Sequence, residues 1–204
     1  TFERFTAATV GRRGDMVAEV SSRAASQNIL YLELMQSLGM FEVAAFAQTN
    51  GDLEAKYGQR IDHAAVDAIV ADVILEMDRI DARRRAIQGC DSIAAEQGDG
   101  CQVTVRYLSQ VIRTLSPIQV YAQTLLAFKL VAADDRVVGL NFVAPEDHAV
   151  ALRDYKQHMD FIAEIGSQFP AQRSGVTLHA GELTLGLVPP EHLGWHIDAA
   201  IQVA

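Results

Sequence analysis

The sequence predicts an α/β fold in which parallel strands alternate with helices. Three observations predict it: four short β-rich runs, longer stretches of helical spacing between them, and an almost unbroken apolar character in three of the runs. Strands separated by helices pair in parallel through right-handed crossovers. Strands covered on both faces read as continuous apolar runs rather than alternating ones. An open doubly wound sheet and a (β/α)8 barrel both meet these conditions. No Gly-x-Gly-x-x-Gly follows any run and no P-loop occurs, so the nucleotide-binding open sheets lose support.

The elements follow in order. Residues 15–27 space Met16, Val17, Val20 and Ala24 at helical intervals, and residues 29–35 form the first strand. Residues 62–87 repeat Val66, Ile69, Val70, Val73, Ile74, Met77 and Ile80 at three-and-four spacing, as a helix with one apolar face requires. Residues 102–108 form the second strand. Ser116 as N-cap and Pro117 at the first helical position open a helix over 117–133. The third strand is 137–143, a helix covers 150–169, the fourth strand is 176–179, and a last helix covers 189–204. In a barrel, catalytic groups sit at the C-terminal ends of strands. Ser37, Asn141 with the residues after it, and His179 hold such positions. Four βα units make half a barrel. With no initiator Met before Thr1 and no helix cap at Ala204, the expectation is one partial barrel domain over 1–204, truncated at both ends.

Composition narrows the class. Of the 204 residues, 50% are hydrophobic and 21% charged, which is globular rather than disordered usage. A net charge of -9 argues against nucleic-acid binding, which needs clustered Lys and Arg. The run Arg83-Arg84-Arg85 reads as a solvated helix face. No stretch approaches the roughly 20 apolar residues that span a bilayer. Cys90 and Cys101 flank a Gly-containing segment with no zinc-ribbon spacing. A disulfide, which would imply export, and two unrelated thiols both remain open, and with them an exported or a cytoplasmic location. Glu33 stands mid-strand, where a charge is costly unless paired, and Arg106 is its natural partner. His63, His148 and His158 read as surface residues, and Asp134-Asp135 as a loop. His192 and His196 share an i, i+4 face without the Glu of His-Glu-x-x-His, and read as solvated or capping groups.

The densest chemistry is His179-Ala180-Gly181-Glu182, just past the fourth strand. An imidazole to hold a metal and a carboxyl group to move protons emerge together there, as metal-assisted hydrolysis requires. In its context Thr177-Leu178-His179-Ala180-Gly181-Glu182 resembles the signature of the adenosine deaminase family. Residues 137–142 are similar to the strand before that signature, and His196-Ile197-Asp198-Ala199-Ala200-Ile201 to the helix after it. Weaker similarity covers residues 30–34, Val105-Arg106 and Arg113. The Pro-Glu-Asp after Ala144 and the Val-Pro-Pro-Glu after the motif look more like the bacterial and growth-factor-related branch.

The resemblance implies a (β/α)8 barrel, here strands two to five, with one zinc ion and a purine nucleoside as substrate. His179 would be a zinc ligand. Glu182 would be the proton shuttle, donating to the purine N1 while zinc-bound hydroxide attacks C6. Ala144 would offer its N–H to the purine, and Ser37 would line the pocket. The sequence departs from the family in lacking its His-x-His pair, and in carrying Asn141-Phe142-Val143-Ala144 where Asp-Leu-x-Gly is usual. The chain is therefore expected to be inactive by itself and to self-associate through unpaired barrel edges. Another amidohydrolase-type aminopurine deaminase, and a non-catalytic nucleoside- or protein-binding relative, are the alternatives.

Overall fold

A computed structural model describes residues 9, 11–53, 59–93, 98–169 and 175–203. In chain order they form α1 (Arg13–Ser26), β1 (Tyr31–Gln36), α2 (Met40–Asn50), β2 (Asp52–Leu53), β3 (Gln59–Arg60) and α3 (His63–Gln88). A 3-10 turn (Asp99–Gln102), β4 (Thr104–Ile112), α4 (Pro117–Ala133), β5 (Val137–Val143) and α5 (Ala149–Ser167) follow. The chain continues through β6 (Gly175–Thr177), a second 3-10 turn (Pro190–His192) and α6 (His196–Ile201). The fold is α/β, with a four-stranded parallel sheet in the order β1-β4-β5-β6; β2 and β3 form a separate antiparallel pair.

The chain divides into two compact units, residues up to 34 with 73–106, and 35–72 with 107–204. In the first, α1 buries Val17, Ala18, Ser21 and Ala24. Met77, Ile80, Arg84 and Gln88 recur at three-and-four spacing on α3, and all four are buried. Arg84 is thus drawn inward by its position on the apolar face. It donates to the carbonyls of Gly100 and Val103 at 3.0 and 2.8 Å, so the arginine run is not the solvated face its composition suggests. Its neighbours behave differently. Arg83 pairs with Asp15 at 2.6 Å and holds that carboxyl below its usual range, and Arg85 pairs with Asp91. The Gln88 amide donates to the Ala18 carbonyl at 3.1 Å and to Ser21 Oγ at 2.9 Å. Cys90 and Cys101 form a disulfide, which resolves the alternative left open by their spacing. Glu33 does not need Arg106. Its strand β1 is at the sheet edge, the residue is exposed, and its carboxylate accepts from the Tyr31 hydroxyl at 2.7 Å, while Arg106 donates to the Val105 carbonyl at 3.1 Å.

In the second unit, α4 packs on α5 and β5. Leu125, Leu126 and Leu130 of α4, Leu140 and Phe142 of β5, and Phe161, Ile162 and Ile165 of α5 are all fully buried or nearly so. Tyr121 meets Phe161 edge to face, with ring centroids 5.3 Å apart. The central strands β4 and β5 are covered as their apolar runs predict, whereas β1 alternates between exposed and half-buried residues and β6 is largely open. Gly139 of β5 stands opposite Gly175 of β6. A Cβ on Gly139 would lie inside the Gly175 carbonyl, so the close approach of β6 depends on glycine there.

Helix α4 starts as its sequence predicts. Pro117 takes the first helical position, and the Ser116 N–H and Oγ both donate to the Gln119 side-chain oxygen, at 3.2 and 2.8 Å. Helix α2 and the pair β2–β3 lie between residues 36 and 61, for which the sequence predicts no element. One expectation fails. The helix expected over 189–204 is divided: a single 3-10 turn opened by Pro190 ends at His192, Gly194, a weak helix former, lies in the break, and α6 begins only at His196. No described helix is long and apolar enough to cross a membrane.

Candidate active site at the strand ends

All the residues of interest lie in the second unit, just past the C-terminal ends of parallel strands. Ser37 follows β1, Arg113 follows β4, Ala144 to Glu146 follow β5, and His179 to Glu182 follow β6. His179 and Glu182 come together as their spacing suggests. His179 Nδ1 lies 3.6 Å from Glu182 Oε2, and the two side chains are 41% and 63% exposed. The turn between them needs Gly181, whose φ is +90°.

What holds this turn is a buried carboxylate three residues after β5. Glu146 Oε1 accepts from the Gly181 N–H at 3.0 Å, and Oε2 accepts from the Glu182 N–H at 2.7 Å. The third donor is His196 Nδ1, 2.7 Å from Oε1, with both side chains only 1% exposed. Both Glu146 oxygens already accept from backbone N–H groups, so the tautomer that completes the set places a proton on Nδ1; Nε2 is buried and has no partner. Burial lowers the pKa of this imidazole, and the bond to Glu146 opposes that shift.

Arg113, fully buried, ties the neighbouring loops together. Its Nε donates to the Ala144 carbonyl at 2.9 Å, and Nη1 to the His179 carbonyl at 3.4 Å. Burial lowers the pKa of the guanidinium, and Glu146 is the largest of the charges that raise it again. Ala144 has a φ of +85°, unusual for a residue with a side chain. That conformation accompanies the turning of its carbonyl to Arg113. The Ser37 hydroxyl donates to the Gln110 side chain. Gln110, Asn141 and Thr177 are register partners and share one face of the sheet, and the Asn141 amide is directed at the Met35 sulfur.

Behind the turn, aromatic rings surround the buried imidazole. Tyr155 and Trp195 lie with ring centroids 4.2 and 4.0 Å from that of His196, and the Tyr155 hydroxyl donates to the His196 carbonyl at 3.3 Å. Burial, then Glu146, pushes the Tyr155 hydroxyl up to about 12. His158, read from sequence as a surface residue, is 1% exposed between Phe142 and Phe161. Burial pulls it down to about 4. His196, read as solvated or capping, is likewise buried, because the divided last helix turns it toward Glu146. His63 and His148 are exposed as expected, and His148 Nδ1 caps α5 by accepting from the Val150 N–H at 3.2 Å.

The sequence located His179, Glu182, Ser37 and Ala144 near strand ends; Glu146 stood out only within the Pro-Glu-Asp that follows Ala144, with no role of its own. Among the described residues no group of three or more His, Cys, Asp or Glu side chains converges as a metal donor set. His179 alone does not fit a zinc ion, since catalytic zinc usually takes three protein ligands. Compared with family models, curated proteins and solved structures, the chain matches none of them.

Proposed function

We propose that this chain carries the proton-transfer wall of a purine nucleoside deaminase of the adenosine deaminase type. The observation that carries the reading is the exposed His179–Glu182 pair, 3.6 Å apart, on a turn anchored by a buried carboxylate at the end of a parallel strand. Exposed polar groups held by buried ones are poised to meet a ligand. In this reading Glu182 delivers a proton to a ring nitrogen of the bound base, which makes the ring carbon more electrophilic. The loop at Ala144 and the hydroxyl of Ser37 line the nucleoside pocket. His179 is one zinc donor of the reading. The described residues do not complete that set, so no metal-dependent step follows from them. The sheet order, identical to chain order with no reversal, supports an arc of a (β/α)8 barrel over an open doubly wound sheet. The disulfide supports an oxidising compartment.

The protein that carries this chain, incubated with adenosine and zinc, is expected to turn the substrate over, as followed by purine absorbance. Glu182→Gln should lower the rate by about 10²–10⁴-fold. The 204-residue chain alone should show no turnover. Absence of turnover of any aminopurine by the protein that carries this chain, or an unchanged rate in Glu182→Gln, overturns the reading. The first of these results with nucleoside binding retained would favour the non-catalytic alternative.

A further inference from the structure

His179 and Glu182 are too exposed for side-chain packing to set their spacing, so the backbone of the turn must set it. The Gly181 and Glu182 amides both donate to Glu146, and the Arg113 contact to the His179 carbonyl is long at 3.4 Å. We propose that Glu146 is the positioning residue of the His179–Glu182 pair, and that His196 acts through it by fixing the direction of its carboxylate. Each oxygen has a defined task. Oε2 serves Glu182 alone, while Oε1 is shared between Gly181 and His196. A buried carboxylate is tolerated only when its acceptor sites are filled, so losing the imidazole donor frees the group to rotate and releases the amides it holds. The inference stands whatever reaction the pair performs, because its test reads the turn and not turnover.

The test is amide hydrogen exchange by NMR on the ¹⁵N-labelled chain. Rates at Gly181 and Glu182 are taken relative to Leu140 in β5, so that a general loss of stability cancels. Glu146→Gln keeps one carbonyl oxygen and turns an NH2 donor toward the amide that the other oxygen served, so the relative rate at that amide should rise about tenfold or more. His196→Phe keeps a ring but removes the donor, and both relative rates should rise by a similar factor. His196→Asn restores a donor near the Nδ1 position and should return both toward the parent values. Unchanged relative rates in Glu146→Gln and His196→Phe overturn the proposal. Equal rates in His196→Phe and His196→Asn overturn the role of His196. If Glu146→Gln does not fold, the two His196 variants decide the matter alone.

Discussion

Glu146 and His196 lie fifty residues apart in the chain and share a 2.7 Å hydrogen bond, with both side chains 1% exposed. The pair is the buried counterpart of the exposed pair formed by His179 and Glu182. Removing one member of a buried charged network strands the others. Glu146→Ala would leave the His196 donor and two amides unsatisfied and remove the largest of the charges that favour the Arg113 guanidinium. Such losses cost about 3–5 kcal/mol, whereas Glu182→Ala, at an exposed position, should change stability by under about 0.5 kcal/mol. Urea denaturation of the two variants should separate them clearly; equal midpoints would show that Glu146 is not structurally committed.

The buried His158 sets a pH dependence. Its pKa falls from 6.5 to about 4 on folding, chiefly through burial, with Asp154 opposing the shift. The unfolded chain therefore binds a proton below pH 6.5 that the native chain refuses until about pH 4. Its contribution to stability is complete above about pH 6.5 and is lost as pH falls toward 4. At 1.36 kcal/mol per unit the loss is at most about 3 kcal/mol. The lowered pKa of His196 acts in the same direction. Urea midpoints at pH 7 and pH 4.5 should differ less in His158→Phe than in the parent chain, and an identical difference would contradict this account.

The disulfide joins residues separated by 11 positions. Closing so short a loop restricts the unfolded chain by about 3 kcal/mol on the chain-entropy account. The double variant Cys90→Ser/Cys101→Ser should lose stability of that order yet still fold, because Arg84 and Gln88 anchor the same region through their own hydrogen bonds. Thermal melts with and without reductant provide the check, and superimposable curves would contradict it.

Sheet edges give the last prediction. The edge strand β1 leaves Tyr31 and Met35 about half exposed, at 49% and 52%. Unpaired edges with apolar side chains favour association. Sedimentation velocity should show the weight-average mass of the 204-residue chain rising with concentration. A monodisperse monomer across the range would count against edge pairing.

Much of the fold was legible because its signals are local. The cap at Ser116 and Pro117 and the apolar run 137–143 each rest on a few neighbouring residues. The reading failed where meaning depended on distant partners. Arg84 looks like surface until the α3 face it shares with Met77 and Ile80 is seen to be buried. Glu33 looks like half of an ion pair until β1 is seen to be an edge.

The same division runs through the site. The sequence by itself determined that an imidazole and a carboxyl group would emerge together after a strand, since four consecutive residues at a strand end cannot separate far. Only the tertiary structure decided what holds them. Glu146, Arg113 and His196 come from three different parts of the chain, and their roles arise from burial, which makes an unpaired polar group costly: it sets Glu146 against His196 and the two turn amides, and Arg113 against the Ala144 and His179 carbonyls.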